Sequence, residues 1–128
     1  MNTLLSLETR NNVLFTMATL LDTEREAIIS VNKKDINAYK GTDISMLDRL
    51  KVNNAKVDEM IIAAKHLASQ EDPVGVERFS FKHKNGMHVY NKTASFGTIL
   101  IIYESRPDVT VEAAGIAFNT DKPAAQAR

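Results

Sequence analysis

Between Ser69 and Phe79 the chain changes its hydrophobic rhythm, and this change restricts its folds more than any other feature. Before it, apolar residues recur every three or four positions, as on one face of a helix; after it, they alternate with polar ones, as on a half-buried strand. Glu71-Asp72-Pro73-Val74-Gly75 marks the boundary with turn-forming residues. Further on, Thr98 to Tyr103 is an unbroken apolar and β-branched run, which suits a strand buried on both faces. It is followed by the polar Glu104-Ser105-Arg106 and the helix-start signal Pro107-Asp108. The expected class is therefore α/β: amino-terminal helices, then a β-hairpin, then one strand-turn-helix of a parallel sheet.

The helical part divides at its breakers. Leu4, Leu7, Val13, Leu14, Met17, Leu20 and Leu21 predict an amphipathic helix from Leu4 to Leu21. Thr23 and Glu26 have capping-box spacing, predicting a second helix from about Thr23 to Val31. Asn32-Lys33-Lys34-Asp35 reads as another cap for a short helix to about Tyr39, ended by Gly41-Thr42-Asp43. A helical turn at Ser45–Leu50 precedes a longer helix, capped by Asn53 or Asn54 and reaching Ser69. Its apolar stripe comprises Val57, Met60, Ile61, Ala64, Leu67 and Ala68.

Phe79 and Phe81 alternate with Ser80 and Lys82, and Met87, Val89 and Asn91 continue the alternation beyond Asn85-Gly86. This predicts a β-hairpin with a two-residue type I′ turn. A two-stranded ribbon is marginal alone, so its apolar face is expected to pack on its own domain or on a second copy. His83 and His88 flank the turn and can face each other, but with His66 on the long helix they are too few and scattered for a metal site.

The chain thus organises as a helical segment over 1–72, a hairpin over 73–96, a strand-turn-helix over 97–118 and a polar tail over 119–128. The apolar strand has no evident parallel partner other than the hairpin, and the tail stops where the next strand is needed. Sixteen basic residues balance sixteen acidic ones, which argues against nucleic acid or an anionic membrane as partner. Without an apolar run of membrane-spanning length or a signal-like segment, the expected location is cytoplasmic. The absence of cysteine excludes a thiolate nucleophile from these 128 residues.

Ile101-Ile-Tyr-Glu-Ser-Arg-Pro-Asp-Val-Thr-Val-Glu112 resembles a stretch of the γ-glutamyl phosphate reductases, or glutamate-5-semialdehyde dehydrogenases, that usually reads Ile-Tyr-Glu-(Ala or Ser)-Arg-Pro-Asn-Val-Thr-Val-Asp. Met46-Leu-Asp-Arg-Leu50 is similar to that family's Leu-Leu-Asp-Arg-Leu, Asp72-Pro-Val-Gly75 to its Asp-Pro-Val-Gly, and Asn85-Gly86 falls at its hairpin glycine. The likeness spans about residues 5 to 118. It implies an amino-terminal fragment of an aldehyde-dehydrogenase-like enzyme, comprising the start of the nucleotide-binding domain.

The resemblance also implies the chemistry: NADPH-dependent reduction of γ-glutamyl phosphate to glutamate-5-semialdehyde in proline biosynthesis, through a cysteine this chain lacks. A fragment without that thiol is expected to be inactive by itself. Tyr103, Glu104 and Ser105 would lie near the cofactor, and Arg106 and Asp108 near the substrate. Arg106 would pair with the glutamyl carboxylate or the acyl phosphate, or else serve as scaffolding with Glu104, Asp108 or Glu112. Asp108 stands where the family usually has Asn; an ionised carboxylate cannot donate to an oxyanion, so helix capping is the favoured role. The hairpin at 78–92 would mediate homo-oligomer contacts. The alternative is a non-catalytic helical oligomerisation or interaction domain derived from such an enzyme.

Overall fold

The computed structural model describes residues 5–94, 98–104 and 106–120, together with the backbone of 125–126. In chain order the elements are α1 Leu7–Thr23, α2 Arg25–Ala38, α3 Ile44–Leu50, α4 Asn54–Ser69, β1 Glu77–Lys82, β2 His88–Lys92, β3 Leu100–Ile101, α5 Pro107–Asn119 and β4 Ala125–Gln126. The fold is mixed helix and strand, as the change of rhythm predicts.

The core is helical. α1 lies along α4, and α5 packs against both. Each helix contributes one stripe of residues spaced by three or four: Arg10, Leu14 and Ala18 from α1, Val57, Met60, Ala64 and Ala68 from α4, and Asp108, Val111, Gly115 and Asn119 from α5. Val57 is fully buried, worth about 2 kcal/mol in water-to-core transfer. At Gly115 the helices approach so closely that an added Cβ would meet Leu67 Cδ1 at 2.6 Å. The ends of the α5 stripe are polar, and Val109, Ala114 and Phe118 beside it are half-buried.

A buried arginine ties the three parts together. The Arg10 guanidinium donates from Nη1 to the Asn119 carbonyl at the end of α5, and from Nη2 to Asp72 Oδ2 at 2.7 Å. Asp72 also accepts from Val74 N at 3.0 Å, shaping the turn that leads to the hairpin. The guanidinium lowers the Asp72 carboxyl below its usual range, chiefly through this hydrogen bond.

Two helix boundaries differ from expectation. No capping box forms at Thr23, whose hydroxyl instead donates to the Thr19 carbonyl at 2.9 Å. α1 runs into α2 through the single residue Glu24, whose N–H reaches Leu20 O and whose carbonyl accepts from Ile28 N, each at 2.9 Å. The backbone satisfies itself across the junction, so no side-chain cap is required. α2 then continues through the expected cap at Asn32–Asp35 to Ala38. Asn32 is spent on tertiary bonds: Nδ2 donates to Leu50 O at 2.8 Å and Oδ1 accepts from Val52 N at 2.7 Å. α3 and α4 are capped by Asp43 and Asn53, whose side chains accept from the first-turn N–H groups.

The hairpin exists, with a different turn. His83 N bonds to Met87 O at 2.8 Å and Gly86 N to His83 O at 2.9 Å, so the loop has three residues, Lys84 to Gly86, with Gly86 at φ 88°. That is a tight turn closed by one left-handed residue rather than a two-residue type I′ turn. His88 pairs with Lys82 across the ladder, so the two histidines do not face each other. Asn85 Oδ1 is 3.0 Å from His83 Nδ1 instead.

The strand before α5 departs most from expectation. β3 spans two residues, and Leu100 and Ile102 are 58% and 79% exposed, not buried on both faces. It does have a parallel partner, in the polar tail: Leu100 and Ile101 pair with Ala125 and Gln126. A two-stranded ladder is too small to bury both faces of the apolar run.

Candidate functional site

The polar switch after β3 leads into the start of α5. Arg106 is the N-cap residue, extended at φ −133° and ψ 98°, and makes no side-chain capping bond; Pro107 follows as the first helical residue, where its missing N–H costs nothing. Asp108 is therefore inside the first turn, not at the cap, and its side chain is used elsewhere. Its Oδ2 is 3.0 Å from Lys56 Nζ on α4 and 3.4 Å from Arg106 Nη2. Burial pushes the Asp108 carboxyl up, but Lys56 above all, with the Val109 N–H and Arg106, holds it below the usual carboxylate range.

Lys56 is an unusual residue for its place. It is in the first turn of α4, where a cation opposes the helix dipole. Two carboxylates offset that penalty, Asp108 and, at 3.0 Å, Glu59. Their hydrogen bonds, Asp108 first, raise the Lys56 ammonium above its ordinary range.

These groups open onto a cleft of about 420 Å³ between α3 and the starts of α4 and α5. Four cations line it, Arg49, Lys51, Lys56 and Arg106, against two carboxylates, Asp48 and Asp108. Lys51 pairs with Asp48 at 2.7 Å. Arg49 has no ion pair among the described residues. Such a cleft suits an anion, because its cations outnumber its own carboxylates.

Of the residues expected at the site, Arg106 and Asp108 are brought together, and Arg106 makes the local pairing with Asp108 while its side chain stays half exposed. Tyr103 is half-buried, its hydroxyl 2.6 Å from Thr110 Oγ1, and Glu104 is exposed. Ser105 lies outside the described residues. Neither Tyr103 nor Glu104 is among the residues lining this cleft. Arg49, Lys51 and Lys56 were not singled out from the sequence. Arg49 belongs to the quoted Met46–Leu50 segment, and the signal for Lys56 is a lysine three residues after the helix-capping Asn53.

Elsewhere, Arg25 pairs with Asp22 at 2.8 Å and Asp58 at 2.6 Å in a second charged pocket that Lys65 also lines. A groove of about 510 Å³ between α1 and α2 is lined by Val13, Met17, Leu20, Leu21 and Ile28. Among the described residues no three His, Asp or Glu side chains gather as metal ligands, and no helix is long and apolar enough to cross a membrane.

The chain is 40% identical to the γ-glutamyl phosphate reductase of Salinibacter ruber over 116 residues, which are 89% of this chain and 27% of that protein. It is 38% identical to the enzyme of that name from Moorella thermoacetica over 113 residues, again 27% of the relative. The structure superposes on the solved γ-glutamyl phosphate reductase of Saccharomyces cerevisiae with a TM-score of 0.88 at 30% identity, over 98% of this chain and 32% of that one. The chain is homologous to the γ-glutamyl phosphate reductases. The solved enzyme from Thermotoga maritima agrees, with a TM-score of 0.85 at 31% identity over 95% of this chain and 30% of the other. No family model matches the chain. It spans about a quarter of the curated γ-glutamyl phosphate reductases it matches and about a third of the solved ones. In the cleft, two stretches whose likeness to the family was evident in the sequence meet: Asp48-Arg49 from one and Arg106-Asp108 from the other.

Proposed function

We propose that this chain supplies the substrate-side part of a γ-glutamyl phosphate reductase, a cytoplasmic oxidoreductase of proline biosynthesis. The reaction reduces γ-glutamyl phosphate to glutamate-5-semialdehyde and releases phosphate, with NADPH as the reductant. The observation that carries the reading is the cationic cleft at the start of α5, where Arg106 and Arg49 from two family-like segments line one space. Arg106 pairs with an anionic end of the substrate, and the positive field of the cleft favours a substrate that carries both a carboxylate and a phosphoryl group. Asp108 sets the direction of Lys56 and Arg106 and does not donate to an oxyanion, since its ionised carboxylate can only accept and its Oδ2 is shared by both cations. Tyr103 and Glu104 form one wall on the cofactor side.

The nucleophilic thiol comes from outside these residues, because the chain has no cysteine. The segment 1–72 is the helical scaffold, 97–118 the start of the nucleotide-binding domain, and the hairpin an oligomer arm. That last role is favoured by the exposure of Phe79, Phe81, Met87 and Tyr90.

The test is a chimera in which this chain replaces the matching 116-residue stretch of the Salinibacter ruber enzyme. The chimera is expected to reduce γ-glutamyl phosphate with NADPH, and the chain alone to be inert. A chimera that folds and shows no turnover above a buffer blank would overturn the reading and favour a non-catalytic interaction domain.

A further inference from the structure

The Lys56–Asp108–Arg106 cluster is more than a scaffold. Asp108 Oδ2 is shared by two cations from different helix starts, Lys56 at 3.0 Å and Arg106 at 3.4 Å. Both cations retain access to solvent, their side chains being 33% and 52% exposed. Arg49, without an ion pair among the described residues, and Lys51 complete the rim of a 420 Å³ cleft, ample for a phosphoryl or carboxylate group. α5 also begins with no side-chain cap, so the amide end of its dipole adds to the positive field there.

We propose that this cleft is a small-oxyanion site in which the Asp108 carboxylate acts as an internal competitor, occupying Lys56 and Arg106 until a phosphoryl or carboxylate oxygen takes its share of them. This rests on the proposed function for the identity of the ligand, which would be an anionic end of the acyl phosphate. The binding site itself stands on the arrangement of charges. Removing the competing charge should strengthen anion binding, the opposite of what loss of a purely structural residue would do.

The chain is titrated with inorganic phosphate and, in a second arm, with glutamate. Backbone and guanidinium resonances around residues 49–56 and 106–108 are followed by NMR against sodium chloride of equal ionic strength. Saturable shifts with phosphate assign the cleft to the phosphoryl end, and saturable shifts with glutamate alone assign it to the carboxylate end. Asp108→Asn is expected to tighten binding about fivefold, and Arg49→Gln to weaken it about threefold. The exposed Arg49→Gln and Lys51→Gln carry the test should Asp108→Asn fail to fold. Neither anion shifting these resonances beyond the chloride control would overturn the proposal. So would unchanged affinity in Arg49→Gln combined with Lys51→Gln, or an Asp108→Asn chain that melts lower and binds no better. These readings are independent of turnover in the chimera, so the site and the reductase assignment can fail separately.

Discussion

The α1–α4–α5 bundle and the β elements of this chain respond oppositely to having few neighbours. The bundle buries Leu14, Ala18, Val57 and Ala64 almost completely, whereas β1 is exposed along its whole length and Ile102, just after β3, is 79% exposed. The backbone chemistry explains the contrast. A helix satisfies its N–H and C=O groups internally and needs only one packed face, while a strand leaves a row of such groups open on every unpaired edge. β1–β2 and β3–β4 are separate two-stranded ladders, each with both outer edges unpaired among the described residues. Phe79, Phe81 and Leu100 on these ladders are 60%, 44% and 58% exposed. The described residues therefore bury a helical core while both ladders remain open to solvent.

The strongest way to break this comparison is through the residue that closes the bundle. Arg10 is 2% exposed and connects α1 to Asp72 and to the end of α5. Arg10→Ala strands a carboxylate and a carbonyl, and removes the packed stem of the side chain. The expected loss is about 3 kcal/mol in urea unfolding, at the low end for a buried pair because Asp72 is one-third exposed. A loss below about 1 kcal/mol would mean that the bundle does not depend on this connection.

Acid sharpens the comparison with a smaller effect. Asp72 and Asp108 both titrate below the usual carboxylate range when folded, the first through Arg10 and the second through Lys56 against the cost of burial. The folded chain therefore binds fewer protons than the unfolded one in that range. The stability they contribute is present above the unfolded carboxyl value, roughly pH 4, and is lost as pH falls through the lower folded values. Urea midpoints measured from pH 7 to pH 2.5 should fall most steeply below about pH 4. The slope should be shallower in Arg10→Ala, which removes the cause of the Asp72 shift.

How much of this was legible follows from where each signal lies along the chain. α4 was readable because its cap Asn53 and its stripe Val57, Met60, Ala64 and Ala68 are local and periodic. The α1–α2 junction was misread because Thr23-x-x-Glu26 has the right spacing for a cap, while the backbone across Glu24 leaves nothing to be capped. Asn32 resembles a helix start in sequence, yet both ends of its side chain are committed to Leu50 and Val52, some twenty residues away. Arg10 carries no apolar signal, although it stands four residues before Leu14 and eight before Ala18 on the inner face. At the site, Arg106 and Asp108 were marked by the abrupt polarity after an apolar run. Lys56 was not, because its meaning depends on Asp108 lying fifty-two residues further on. For β3, the apolar run correctly signals a strand; burial is a property of its neighbours, which composition does not supply.

The smallest expected effect tests the exposed side of the comparison. Phe79 and Phe81 stand on one face of β1 with ring centroids 5.6 Å apart, Val89 pairs opposite Phe81, and Phe79 is 60% exposed. Since little is packed against this face, Phe79→Ser removes chiefly one tilted aromatic contact. At low protein concentration it should change the unfolding free energy by no more than about 0.5 kcal/mol, within the range of surface substitutions. If the bundle and the hairpin are as unequal as their burial implies, thermal melts of Phe79→Ser and the parent should nearly coincide while Arg10→Ala melts well below both. A parent whose melting temperature rises with concentration, and a variant in which that dependence disappears, would show a second copy covering the aromatic face. A large concentration-independent loss in Phe79→Ser would instead show the hairpin to be part of the chain's own core, and the contrast between the two regions would fail.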